Sequence, residues 1–142
     1  EKTGRTYAEL VADEAKLGDI RVLGPNTLGV LNDQGYNALF GPRAKYNRGN
    51  VALVSNSGAL ICALLDWSKK EQFGFSVVVS LGRMMDIQWG DLIRYLGNDD
   101  STRSIVIHME AIGDVRSFIS AAREVALTKP IIVLKSLRSS EP

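Results

Sequence analysis

One cysteine and one histidine stand among 142 residues, and that scarcity removes whole classes of chemistry. With Cys62 alone, no intrachain disulfide and no cysteine-based metal site can form. Set inside a helical apolar pattern, Cys62 is expected to be small buried filler, and no metal site is expected elsewhere. No apolar run approaches the roughly 20 residues that span a bilayer, and the N-terminus lacks the charged-then-apolar pattern of a signal peptide. A cytoplasmic location and no membrane partner are the expectations. Charge of one sign is lacking too: 17 Lys and Arg face 16 Asp and Glu without long runs, a net charge of +1. That balance argues against a nucleic-acid partner. At 45% hydrophobic and 23% charged, the chain reads as an ordinary globular protein with one compact core.

What is present is an alternation of helices and strands. Ala8, Leu10, Val11, Ala15 and Leu17 recur at helical spacing through Thr6 to Lys16, with Gly18 as a stop. Ile20 to Leu23 reads as a short strand. Gly24-Pro25-Asn26-Thr27-Leu28-Gly29 is a glycine-bracketed turn, and Val30 through Pro42 reads as an irregular connector. From Asn50 the pattern tightens into strand Val51 to Val54, helix Ala59 to Lys70, strand Phe75 to Ser80 and loop Leu81 to Ile87. A helix from Gln88 or Trp89 to Leu96, strand Ile105 to Met109, helix Val115 to Ala126 and strand Ile131 to Leu134 complete it. Unbroken apolar strands such as Val77-Val78-Val79 imply a parallel sheet covered on both faces. The fold class expected is α/β, a doubly wound parallel sheet.

In such sheets ligands sit beyond the carboxyl ends of the strands. There Val51 to Val54 runs into Ser55-Asn56-Ser57-Gly58-Ala59 and then a helix. The first N–H groups of a helix lack intrahelical partners and carry the positive end of its dipole, so an anion is held there by backbone donors. Ser55 and Ser57 add hydroxyls, and Gly58 lets a ligand approach the backbone. The same residues also make an ordinary N-cap. The loop Gly82 to Asp86 and Glu110 fall at the same end of the sheet. Trp67, Trp89 and Tyr95 are expected in core or interdomain packing, Met84 and Met85 as adaptable packing, and Asp86 and Asp91 as support for the following helix. A flavodoxin-type FMN site fits poorly: Leu60 stands where a hydroxyl is needed, and no Trp or Tyr follows the third or fourth strand to stack on a flavin.

The runs Val22-Leu23-Gly24-Pro25-Asn26-Thr27-Leu28-Gly29-Val30-Leu31-Asn32 and Gly49 to Leu60 resemble the NDP-forming acyl-CoA synthetases. That superfamily includes succinyl-CoA synthetase and the ADP-forming acetate–CoA ligases. The likeness continues through Ser80-Leu81-Gly82, Gly90-Asp91-Leu92-Ile93 and Lys129 to Ser136, and it extends to the synthetase-like region of bacterial protein acetyltransferases. It implies that residues 1 to about 40 end a CoA-binding Rossmann domain. Residues from about 48 to 142 then form a flavodoxin-like ligase domain, incomplete at its C-terminus.

The scheme implied by the resemblance runs from acyl-CoA and phosphate to an acyl phosphate, then to a phosphohistidine, then to a nucleoside triphosphate. CoA, ATP or ADP and Mg are its cofactors in the full-length protein, and an ATP-grasp domain or subunit is its partner. By the same resemblance Ser55, Asn56, Ser57, Gly58 and Ala59 face the phosphohistidine, Glu110 contacts the active histidine, and Pro25, Asn26 and Thr27 lie near the thioester. The family usually has Cys in place of Thr27. The phospho-accepting histidine follows the strand Ile131 to Leu134 in the relatives, and no residue here matches it. His108, inside a strand where relatives often have tyrosine, is expected on a strand face. The alternative function is a non-catalytic CoA- or nucleotide-sensing region of an acetyltransferase.

Overall fold

A computed structural model describes residues 4–40 and 46–136. The first helix, α1 (Tyr7–Leu17), starts where the sequence signals it. Thr6 is the N-cap, its hydroxyl accepts the Glu9 N–H at 3.3 Å, and its own N–H donates to Glu9 Oε2 at 2.8 Å. This reciprocal pair satisfies two donors that a helix start leaves open. No residue of α1 is buried, and Tyr7 and Leu17 are largely exposed.

Two expectations fail next. Ile20 to Leu23 is not a strand of the sheet but irregular chain. Its backbone bonds run to a loop instead: the Val22 N–H donates to Asp86 Oδ2 at 2.7 Å, and the Ile87 N–H donates to the Val22 carbonyl at 3.1 Å. Apolar residues suit a strand, but only a neighbouring strand makes one. Conversely, the expected connector from Val30 holds β1 (Gly29–Asn32) and β2 (Asn37–Ala38), an antiparallel hairpin. Strands this short carry no readable period, and β1 exists because a strand much later in the chain, Phe75–Ser80, offers it an edge. Pro42 lies outside the described residues.

The remaining elements are β3 (Arg48–Ser55), α2 (Gly58–Lys70), β4 (Phe75–Ser80), α3 (Trp89–Gly97), β5 (Ser104–Met109), α4 (Val115–Val125) and β6 (Ile131–Lys135). The sheet order is β2-β1-β4-β3-β5-β6. β3 pairs in parallel with β4 and β5, and β5 with β6, while β1 runs antiparallel to β4. The expected doubly wound parallel sheet is therefore present, lengthened at one edge by the hairpin.

The pleat sorts alternate residues to opposite faces. Leu53 and Val78 join Leu31, Phe75 and the α2 residues Ile61 and Leu65 in one buried cluster. Val54, Val79, Ile105 and Ile107 face α3 and α4, packing on Trp89, Ile93, Phe118 and Ala121. Cover is thinner over β6, where Ile132 and Leu134 are each 54% exposed. Trp89 is core as expected; Trp67 and Tyr95 lie on the surface, Trp67 with its ring edge-on to Phe73 at 5.0 Å. Cys62 is exposed, not buried filler, because α2 turns that position away from the sheet while Ile61 and Leu65 face it.

The start of α4 is built for a sharp entry. Asp114 is its N-cap, accepting the Ser117 N–H at 3.1 Å, and its own N–H donates to Gln88 Oε1 at 2.8 Å. Replacing Asp114 with alanine is expected to lower stability by about 1 kcal/mol, read as a shifted urea midpoint at unchanged slope.

Candidate functional site at the carboxyl edge of the sheet

After β3 the chain winds to β4 on one side and then to β5 on the other, so the strand order reverses between β3 and β5. A crevice at such a reversal is where doubly wound sheets bind ligands. β3 ends there on Ser55, fully buried. Its hydroxyl accepts the Ser57 N–H at 2.9 Å, lies 3.0 Å from His108 Nδ1 and reaches the Ser57 carbonyl at 3.3 Å. Ser57 is the N-cap of α2 and accepts the Leu60 N–H at 3.4 Å. Both serines thus shape the turn from within. What remains open to an anion is the backbone of the first helical turn at Gly58 and Ala59, whose N–H groups have no intrahelical acceptor.

Gly58 has a packing reason besides ligand approach: a Cβ there would stand 2.8 Å from Leu28 Cδ1. The chain before the hairpin is therefore docked directly on the start of α2. Asn56 is a tie between three loops, its Nδ2 donating to the Gly82 carbonyl at 2.7 Å and its Oδ1 accepting the Glu110 N–H at 3.1 Å. That places Glu110, with an exposed carboxylate, beside the end of β3. Lys135 Nζ donates to the Glu110 carbonyl at 3.0 Å, which ties the end of β6 to the same corner.

The turn Gly24 to Leu28 is clamped over this edge. The Arg83 N–H donates to the Pro25 carbonyl at 2.9 Å and the Met85 N–H to the Gly24 carbonyl at 2.8 Å. Thr27 Oγ1 donates to the Ser80 carbonyl and accepts the Gly29 N–H. Gly82, at φ 65°, makes the approach possible: a Cβ there would lie 2.3 Å from the Pro25 oxygen.

Two recesses open on either side of Asn26. The first, of about 530 Å³, is lined by Asn26, Asn56, Gly82, Arg83, Met84, Glu110 and Ala111. The second, of about 420 Å³, is lined by Asn26, Thr27, Leu28, Gly58, Ala59 and Cys62. The structure therefore gathers most of the expected site residues at one edge, with Glu110 and Asn56 on one side and Thr27, Gly58 and Ala59 on the other. Ser55 is buried, Ser57 is half-buried and engaged as the α2 cap, and Pro25 serves through its carbonyl. Sequence reasoning placed the loop Gly82 to Asp86 at this end of the sheet, with Met84 as a pocket wall or adaptable packing, but did not single out Arg83. The available signal was its place in the loop after β4, at the carboxyl end of the sheet.

His108 sits on the sheet face that carries α2, as the strand-face expectation holds. Its Nδ1 meets Ser55 and its Nε2 lies 2.8 Å from Ser136 Oγ, so both ring nitrogens are engaged.

Asp86 does not cap the following helix. It holds the segment after α1, paired to Arg21 at 3.0 Å and accepting the Val22 N–H, and these bonds keep its carboxyl below the usual range. Asp91 is the residue that supports α3, accepting the Gln88 N–H at 3.0 Å. Because the folded Asp86 carboxyl is the stronger acid, its contribution is complete above the unfolded value near pH 4 and is lost as pH falls through the lower folded value. The Val22 amide should then lose exchange protection in acid before the β3 amides do, and Asp86→Asn should show that loss at neutral pH.

A doubly wound sheet whose reversal point joins an open helix start, a carboxylate and a clamped turn is the arrangement of a flavodoxin-like ligand-binding domain. Residues 48–142 match the family model of the succinyl-CoA ligase like flavodoxin domain, and the chain belongs to that family. It is 42% identical over 137 residues to the alpha subunit of acetate–CoA ligase [ADP-forming] I of Pyrococcus furiosus, covering 96% of this chain and 29% of that protein. It is 36% identical over 145 residues to the 4-hydroxybutyrate–CoA ligase [ADP-forming] of Nitrosopumilus maritimus, covering 99% of this chain and 21% of that one. Among solved structures, the dinucleotide forming acetyl-coenzyme A synthetase 1 of Ca. Korarchaeum cryptofilum, in complex with phosphate and ADP, superposes with a TM-score of 0.84. The identity there is 40%, over 90% of this chain and 28% of that one. The chain thus spans less than a third of each of these relatives. Among the described residues no helix is long and apolar enough to cross a membrane.

Proposed function

We propose that this chain is the phosphoryl-handling segment of an ADP-forming acyl-CoA ligase of the cytoplasm. The observation that carries the reading is the junction of the open α2 start with Glu110 across the β3–β5 reversal, in a chain about 40% identical to ADP-forming acetate–CoA ligases. In the reaction proposed, phosphate attacks the thioester carbonyl of acyl-CoA, releasing CoA and leaving an acyl phosphate. An imidazole then takes the phosphoryl group and frees the carboxylate, and ADP takes it in turn to become ATP.

The residues here divide that work. Backbone N–H groups of Gly58 and Ala59 hold phosphoryl oxygens at the positive end of α2. Glu110 accepts an N–H from the incoming imidazole, which fixes its tautomer and raises the basicity of the other nitrogen, the one that attacks phosphorus. The turn Pro25 to Thr27 closes over the thioester. That imidazole is not His108, whose two nitrogens are engaged by Ser55 and Ser136; it comes from outside the residues described. In this reading residues 1–40 end a CoA-binding domain, residues 48–142 form the ligase domain, and an ATP-grasp domain or subunit supplies ADP and Mg. The hairpin β1–β2 nevertheless pairs with β4, so the segment before residue 40 is joined to the ligase sheet by a ladder.

The test is release of CoA from acetyl-CoA by the full-length protein, required to depend on both phosphate and ADP. Release that needs both supports the ligase. No release, together with acyl-CoA binding, leaves a sensing region of an acetyltransferase instead.

A further inference from the structure

The proposed reaction leaves a histidine at this edge of the sheet unused. His108, half-buried near the end of β5, is the chain's single histidine. It touches the turn between β3 and α2 twice. Its carbonyl accepts the Asn56 N–H at 3.4 Å, and its Nδ1 lies 3.0 Å from Ser55 Oγ. On the other side Nε2 lies 2.8 Å from Ser136 Oγ, and the Ser136 N–H donates to the Met109 carbonyl at 2.9 Å. A row of three side chains, Ser55, His108 and Ser136, thus crosses the carboxyl ends of the parallel strands β3, β5 and β6. Ser55 has no such tie toward β4. Ser80, its partner in register there, has a buried hydroxyl with no hydrogen-bond partner among the described residues.

The number of protons available fixes the direction of the row. Ser55 Oγ already accepts the Ser57 N–H at 2.9 Å, and it has one proton to give. Nδ1 at 3.0 Å is nearer than the Ser57 carbonyl at 3.3 Å. With a neutral ring, Ser55 therefore donates to Nδ1, and Nε2–H donates to Ser136 Oγ. A cationic ring carries a proton on both nitrogens. Nδ1–H then donates to Ser55 Oγ, and the Ser55 proton turns to the Ser57 carbonyl. Ser57 is the residue that caps α2. Each charge state of the ring is fully hydrogen-bonded, and each acts on the cap.

We infer that His108 is a positioning residue for the anion at the α2 start: through Ser55 it sets the cap that aims the Gly58 and Ala59 N–H groups, and its positive charge strengthens their hold. This rests on the ligase reading above, in which that anion is the phosphoryl group. The ring stands two hydrogen bonds behind the Ser57 N–H, so a positive charge on it adds to the positive end of the helix. Of the elements around the ring, β5 brings Glu110, and β6 brings Lys135, whose Nζ is held by the Glu110 and Ser136 carbonyls. β3 brings no charged residue between Val51 and Ser55, and α2 has none before Asp66, with Cys62 its one titratable group nearer the start. Glu110 and Lys135 oppose each other in sign. Of these side-chain types, imidazole is the one that changes charge between pH 5 and 8.

The experiment titrates the isotope-labelled 142-residue chain with sulfate at pH 5.5 and at pH 8, at fixed ionic strength. Sulfate keeps two negative charges at both values, which phosphate does not. The backbone amides of Ser57 to Leu60 report binding, and the ring carbons of His108 report its protonation. The parent chain is expected to bind sulfate about 3-fold tighter at pH 5.5. Saturating sulfate should raise the ring's titration midpoint to the matching extent, because the coupling is reciprocal. His108→Asn offers an acceptor to the Ser55 proton but no charge, so it should hold sulfate equally at both pH values, with the parent's pH 8 strength. His108→Leu offers neither and should bind about 3-fold more weakly than His108→Asn at pH 8. If the parent binds alike at both pH values, or the midpoint ignores sulfate, the role of His108 is overturned. The ligase reading then stands, since Ser57 to Leu60 still respond. Equal affinities in His108→Asn and His108→Leu overturn the positioning through Ser55, and a pH dependence that survives in His108→Asn assigns it to another group. If sulfate moves Ser57 to Leu60 in no chain at either pH, the anion site itself fails, and the ligase reading falls together with the role of His108.

Discussion

Glu110→Gln in the full-length protein is expected to lower turnover by about 100-fold while the KM for acyl-CoA changes little. In the proposed reaction Glu110 acts only on the imidazole, and only when that imidazole must become a better nucleophile. Glutamine keeps the size and an oxygen acceptor but removes the negative charge that stabilises a cationic ring. A 100-fold loss corresponds to about 2.7 kcal/mol of barrier, within the usual scale for a positioned acid–base partner. The fold should be untouched. The carboxylate is exposed, and what anchors residue 110 is its backbone, through the Asn56 and Lys135 contacts. The measurement is steady-state CoA release at saturating ADP, with the yield of acid-labile phosphoprotein from labelled ATP as a second readout. A Glu110→Gln protein within 3-fold of the parent in both would remove Glu110 from the mechanism.

Trp89→Ala is expected to cost the fold about 3–5 kcal/mol, a fall of about 10–17 °C in melting temperature for a chain of this size. Trp89 is 1% exposed and is the largest of the fully buried side chains. It packs where α3 meets β5 and α4, and its indole N–H donates to the Ala111 carbonyl at 2.9 Å. Truncation leaves a cavity against Ile93, Phe118 and Met109 that a sheet fixed by parallel ladders cannot close. Trp89→Phe separates the two contributions, since it fills most of the space but drops the hydrogen bond. Its cost should be about 1–2 kcal/mol, and because Ala111 lines the recess beside Glu110, amide exchange there should rise even where global stability is little changed. A Trp89→Ala protein that melts within 2 °C of the parent would mean that the cluster on the α3–α4 face is not the core of the fold.

The parts of the fold that were legible in the sequence share a physical property. β3, β4 and β5 are buried on both faces or nearly so, so their apolar runs are unbroken and need no partner to be recognised. Helices α2 and α4 begin on Ser57 and Asp114, which cap them by local hydrogen bonds a few residues ahead. The hairpin β1–β2 and the segment Ile20 to Leu23 went the other way. Four and two residues suffice for strands when β4 presents an open edge, and a stretch with three apolar residues, Ile20, Val22 and Leu23, fails to be one when the nearest neighbour is the Asp86 loop. Cys62 failed for a similar reason: a helical pattern names a stripe of positions, and the sheet decides which of them lie inside.

For the candidate site the division is sharper. That α2 starts on a small, hydroxyl-bearing turn after an apolar strand is local, so the anion-binding end of the helix could be placed from the residues alone. The order of strands could not, and it alone puts Glu110 beside Asn56, 54 positions earlier in the chain. By itself the sequence determined the four helices and the strands β3 to β6, and that a helix start with unpaired N–H groups lies at a strand's carboxyl end. Only the tertiary structure decided that Asn26 divides two recesses and that Arg83 lines one of them, its side chain without a partner among the described residues. Periodicity and caps are properties of neighbours in the chain, whereas a recess is made by loops that meet only after the sheet has assembled.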